Sequence, residues 1–269
     1  MKYERIPYLV AFPNNSGVRD VYGGLAEIVV LESYLLKPEA PSDTVVVFMH
    51  PIGGGAYLPM VTALARAGHH VIYANSRFRG TDSALIMEKV VDDLGQVIAD
   101  ARNRLGYSTV VLAGWSGGGS LSLFYQQQAG HQQQAAALGL IPADGIMLLA
   151  AHISRHGTLT EWLDASILDE SDPAVRDPEL DLYNPDNPNQ PPYSAEFLER
   201  YRHAQIARNR RITKWVKQKL TEVPADDEFC FVVHGTMADP RWLDPTVDPN
   251  DRQPGTCYLG DPRVVNNSP

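Results

Sequence analysis

Three short apolar runs each lead, after a brief connection, into a segment of helical apolar period. This alternation restricts the fold more than any other feature of the chain. "TVVVFMH" (44–50) precedes "LPMVTALARAG" (58–68), and "HVIYANS" (70–76) precedes a helical stretch over 86–105. "STVVLAG" (108–114) precedes "GSLSLFYQQQ", and "GIMLLAAH" (145–152) is a further run. "EIVVLESYLL" (27–36) reads as one more strand ahead of them. Runs as uniformly apolar as 44–50 belong in a sheet covered on both faces, because an exposed face would force polar residues into alternate positions. In 86–105 the residues Val90, Leu94, Val97, Ile98, Ala101 and Leu105 fall on one face of a helix. The fold class read from this pattern is α/β, a mostly parallel central sheet with helices on both faces.

The pattern stops near 153. From 154 to 227 there is no alternation, and "DPAVRDPELDLYNPDNPNQPPYS" (172–194) is too rich in Pro, Asp and Asn to be regular. Ser194 then caps a long helix, "SAEFLERYRHAQIARNRRITKWVKQKL", with Phe197, Tyr201, Ala204, Ile212 and Trp215 on one stripe. "EFCFVVHG" (228–235) reads as another buried strand, followed by an irregular tail. The predicted organisation is a core over 1–153, an insertion over 154–227, and an acid-bearing strand with tail over 228–269.

Composition excludes several classes. The net charge of −9 is the wrong sign for a general nucleic-acid binder. Two cysteines, Cys230 and Cys257, have no metal-ligand spacing, so no metal and no cofactor is expected. No apolar run approaches the roughly 18–20 residues of a membrane span, and "MKYERIPYLVAFPNNSG" has no leader-like core, which predicts a cytoplasmic protein.

Chemistry concentrates at "VVLAGWSGGGS" (110–120). "GWSGG" fits G-x-S-x-G between a predicted strand and a predicted helix, the context in which that motif is informative. The turn lifts the Ser116 hydroxyl above the sheet and leaves the Gly117 N–H at a helix N-terminus, where it can stabilise an oxyanion. No lysine follows the glycines, so a phosphate loop is not indicated. A second glycine-rich turn, "HPIGGG" (50–55), follows the strand at 44–50, and "NSRFRGTDS" (75–83) follows the next.

With these landmarks in this order, residues 20–153 resemble an α/β-hydrolase. The resemblance implies a serine hydrolase acting on a carboxylic ester or thioester through an acyl-enzyme at Ser116, on a small-molecule acyl substrate. It implies a second oxyanion donor from the turn after His50. Pro51 has no N–H, so that donor is Ile52 or Gly53. His50 and Trp115 are implied as substrate-binding, and the insertion as a lid, with Trp162, Leu163, Tyr183 and Trp215 as lining candidates.

The family order of nucleophile, acid and histidine makes Asp239 in "CFVVHGTMADP" the expected acid, one residue further from the glycine than usual. A turn or helix-cap aspartate is the alternative, and Asp244, Asp248 and Asp251 compete. All eight histidines lie at or before His234, so none follows Asp239. The expectation is therefore a C-terminally incomplete chain whose base lies beyond residue 269. The upstream alternatives are His50 and His152. His152 and His156 also have metal-compatible spacing if they share a helix. The rival from another class is a non-catalytic binding protein that kept the pocket and lost the triad.

Overall fold

The computed structural model describes residues 1–14, 28–53, 58–78, 85–152, 154–225, 227, 229, 231–236 and 238–248. Gly54, Gly55, the 79–84 part of the Arg-Gly loop, Cys230, Asp251 and Cys257 lie outside the described residues. The chain forms two compact units, Met1–Arg155 and His156–Pro269.

The first unit is built on a six-stranded sheet. Its strands are β1 (Tyr3–Pro13), β2 (Ile28–Pro38), β3 (Thr44–His50), β4 (His70–Asn75), β5 (Thr109–Trp115) and β6 (Gly145–Leu149). Their order is β1-β2-β4-β3-β5-β6. The four strands from β4 to β6 run parallel, and β1 and β2 complete one edge antiparallel. Period-two alternation sends the side chains of β3 into two cores. Val45, Val47 and Met49 meet α2 (Met87–Asn103) and α3 (Gly117–Gly130), whereas Val46 and Phe48 meet α1 (Pro59–Ala67). The sheet is thus covered on both faces, as the apolar runs predict. Val90, Leu94, Val97, Ile98 and Ala101 are buried under it. Each large one contributes about 1.5–3 kcal/mol by leaving water.

The sequence did not disclose β1. It pairs with β2 along its whole length, from Tyr3 opposite Pro38 to Pro13 opposite Ile28. Its charged residues and Pro7 mask the strand pattern, and an edge position tolerates both because one row of its amides has no ladder to serve. The Gln tract forms the end of α3 and a short α4 (Gln132–Leu138).

The second unit contains most of α5 (Arg155–Trp162), the long α6 (Ala195–Glu222) and the short α7 (Pro240–Leu243). Ser194 caps α6 by accepting the Phe197 N–H at 3.1 Å. Phe197 and Tyr201 pack with Ala165, Leu180, Leu182 and Tyr193 in a local core. The fully buried Arg208 bridges to Glu170 at 2.7 Å.

The buried strand expected at 228–235 is not formed among its described residues. Arg208 donates to the carbonyls of His234 and Gly235 at 2.6 and 3.0 Å, giving that backbone side-chain donors instead of a strand neighbour. Phe229 and Phe231 remain exposed and pack on Trp215, at 5.9 and 5.0 Å between ring centroids.

Candidate active site

β5 ends at Trp115, and the chain reverses into α3 through Ser116, whose φ of 53° and ψ of −123° are strained for a residue with a Cβ. Two contacts force the glycines around it. A Cβ on Gly114 would stand 2.5 Å from the Gly119 Cα, and one on Gly118 would stand 2.7 Å from the Met49 carbonyl. Strand and helix therefore approach as closely as bare backbone permits. The half-buried Ser116 has its N–H on the Leu149 carbonyl at 3.3 Å, which ties the bend to β6.

β6 delivers the partner. It pairs with β5 in register, Trp115 opposite Leu149. The next residue, Ala150, is the second non-glycine with positive φ, at 44°. The backbone N–H of His152 donates to the Ser116 carbonyl at 2.9 Å, and His152 Nε2 stands 3.5 Å from Ser116 Oγ. That distance is the outer limit of a hydrogen bond, a common length for catalytic pairs before substrate closes the site. Of the two upstream histidines, His50 and His152, it is His152 that the fold brings to the serine hydroxyl. It lies before the start of α5, so His152 and His156 do not share a helix.

The turn after β3 supplies the opposite wall. Ser76 Oγ donates to the Pro51 carbonyl at 2.5 Å and pins the turn to the end of β4. The two amides expected to face an oxyanion both point at His50. Ile52 N–H lies 3.4 Å from His50 Nδ1, and Gly53 N–H donates to the His50 carbonyl at 3.1 Å. With Nδ1 accepting, the ring proton is assigned to Nε2. That Nε2 sits 3.1 Å from where a Gly117 Cβ would be, so it faces the residue following Ser116. Trp115 lies beside the same ring, 5.9 Å between centroids.

Nothing in the sequence separates Arg155 from the other arginines. Its Nη1 stands 3.1 Å from the same Gly117 Cβ position. Burial pushes the His50 imidazolium down to about 4, helped by the Arg155 charge and by His152. His152 is lowered below the usual histidine value by burial and then by Arg155. Both rings are neutral near pH 7, and the charge acting on both is the Arg155 guanidinium.

Asp239 belongs to the second unit and has the helix-cap role that was the alternative reading. Its carboxylate accepts the Arg241 N–H at 2.9 Å at the start of α7 and is ion-paired with the Arg241 guanidinium. Asp244 likewise accepts from Tyr193 N–H and Thr246. Among the expected lid residues, Leu163 is buried, Trp162 packs on Trp242, and Trp215 holds the two phenylalanines. Along α6, Arg210, Lys214 and Lys217 line an open cavity of about 440 Å³ with His156, Asn209 and Thr213. Among the described residues no group of three His, Cys, Asp or Glu converges as a metal site, and no helix is long and apolar enough to cross a membrane.

No family model matches the chain, and no curated protein matches it. Similar solved structures include brefeldin A esterase, described as a bacterial homologue of human hormone-sensitive lipase. It is 20% identical over 54% of this chain and 39% of its own, with a TM-score of 0.36. A carboxylesterase from Lactobacillus plantarum is 18% identical over 55% of each chain, with a TM-score of 0.37. A thermostable carboxyl esterase from Bacillus coagulans is 15% identical over 62% of this chain and 47% of its own, with a TM-score of 0.37. The chain therefore spans little more than half the length of each at most.

Proposed function

We propose that this protein is an α/β-hydrolase-type serine hydrolase that cleaves a carboxylic ester or thioester through an acyl-enzyme at Ser116. The observation that carries the reading is the strained Ser116 bend with His152 Nε2 3.5 Å from its hydroxyl oxygen. A protein that only binds its ligand has no use for holding a serine in that conformation, since the strain costs about 1–3 kcal/mol.

In the first half-reaction Ser116 Oγ attacks the carbonyl carbon while its proton passes to His152 Nε2. The carbonyl oxygen becomes an oxyanion, held by the Gly117 N–H and the Nε2–H of His50. Collapse of this intermediate breaks the bond to the leaving alcohol or thiol, which takes the proton from His152. Water, deprotonated by His152, then attacks the acyl-enzyme, and Ser116 leaves with that proton. His50 and His152 divide the work by tautomer, one offering a proton on Nε2 and the other a lone pair.

The test is labelling of the 269-residue chain by a fluorophosphonate, with hydrolysis of a short activated ester. Wild type should label and turn over, and Ser116→Ala should do neither. Equal labelling of the two proteins would remove the assignment.

A further inference from the structure

Every deeply buried arginine in the described residues has an acidic partner. Arg77 bridges Asp92 and Asp93, and Arg208 bridges Glu170. The largely buried Arg176 bridges Asp164. Arg155, which is half-buried, is the contrast. Burial lowers its affinity for the proton and no acidic group acts on it, and among the described residues its guanidinium has no hydrogen-bond or ion-pair partner. A guanidinium taken partly out of water without a counter-charge is costly, and folding alone gives no reason to keep it. Its position supplies one, for Nη1 shares the space over Gly117 with His50 Nε2, beside the nucleophile.

We infer that Arg155 is the anchor for a carboxylate on the substrate, so that the ester or thioester cleaved here is a half-ester whose free carboxylate lies a few bonds from the scissile carbonyl. This rests on the Ser116 reading and narrows its substrate class. A single guanidinium balances one negative charge, and its planar fork matches the two oxygens of a carboxylate. His50 and His152, both neutral, add no second charge for a dianion such as a phosphate monoester. The chain's overall charge of −9 repels acidic ligands in general, so selectivity comes from this local cation and not from the field of the whole protein.

The experiment compares mono-p-nitrophenyl succinate and glutarate with the neutral p-nitrophenyl butyrate and valerate, using wild type, Arg155→Gln and Arg155→Lys. Wild type should favour the carboxylated esters in kcat/KM. Arg155→Gln should lose about 10–100-fold on them, the worth of a hydrogen bond to a charged group, and less than about threefold on the neutral esters. Arg155→Lys, which keeps the charge and loses the fork, should fall between. Equal losses on both ester classes would assign Arg155 to the reaction in general and overturn the anchor, as would a wild type indifferent to the carboxylate.

A binding arm separates this inference from the catalytic one. Monomethyl glutarate, a monoanion that keeps the ester group, should raise the melting temperature of Ser116→Ala and not that of Arg155→Gln. If Ser116→Ala keeps labelling and activity, the nucleophile assignment falls whatever monomethyl glutarate does. If monomethyl glutarate protects Arg155→Gln as well, the anchor falls with the nucleophile intact.

Discussion

Ser116 and His152 are joined twice, through the backbone at 2.9 Å and through Oγ and Nε2 at 3.5 Å. The backbone bond fixes the segment after β6 against the bend after β5, so the imidazole is positioned by sheet register and not by a long flexible connection. His152→Gln should therefore lower kcat by about 10²–10⁴-fold, the usual worth of a general base, with a much smaller change in KM. Steady-state kinetics on an activated ester measures this, and unchanged kcat would remove His152 from the proton path.

In the proposed mechanism His50 donates to the oxyanion, which has a different signature. Loss of its Nε2–H in His50→Ala should reduce kcat by about 10²–10³-fold, as loss of one oxyanion donor does. Fluorophosphonate labelling should slow in parallel, because the phosphonyl oxygen occupies the same position. Retention of both rates would restore the oxyanion role to Ile52 or Gly53.

The pH dependence follows from burial. His152 must be neutral to accept the Ser116 proton, and burial with the neighbouring Arg155 charge lowers its pKa below the ordinary histidine value of 6.5. The kcat/KM profile should rise with pH through a midpoint below 6.5 and be level near pH 7 and above. A rising limb centred above 7 would contradict the environment described.

Stability carries a second pH signal. His50 titrates at about 4 in the folded chain against 6.5 when exposed, so the unfolded state takes up its proton first as pH falls. Stability is therefore lost between 6.5 and about 4, by up to about 3 kcal/mol, and is fully present above 6.5. Urea midpoints at pH 7.5 and 4.5 should diverge more in wild type than in His50→Ala. Equal slopes would show that His50 is solvated.

Asp239 separates a structural role from a catalytic one. Asp239→Ala should cost about 0.5–2 kcal/mol through the α7 cap and the Arg241 pair, with kcat unchanged. A loss of about 10²-fold or more in kcat at unchanged melting temperature would reinstate it as the orienting acid.

The backbone approach around Ser116 is also testable. Gly114→Ala would place a Cβ 2.5 Å from the Gly119 Cα and should cost about 2–3 kcal/mol or more in a denaturant titration. Gly130→Ala meets nothing within 4 Å and should change stability by less than about 1 kcal/mol in either direction.

The parallel core and the Ser116 bend are legible in the chain alone, because both are local. A run such as Val45–Met49 can satisfy its side chains only between two covered faces, and Gly114, Ser116 and Gly118 can make their turn wherever strand meets helix. The Ser194 cap is legible for the same reason. The rest of the site comes from contacts between distant elements. His152 is thirty-six residues from Ser116, and their meeting depends on β5 and β6 pairing with Trp115 opposite Leu149, a register no local period encodes. Arg155 acquires a role only through what it faces. The 228–235 segment is apolar enough to read as a strand, yet its described residues form none, and its His234 and Gly235 carbonyls accept from Arg208. Periodicity reports which side of an element is dry, and contacts between distant elements are set by the sum of many packing choices that leave no mark on any single stretch.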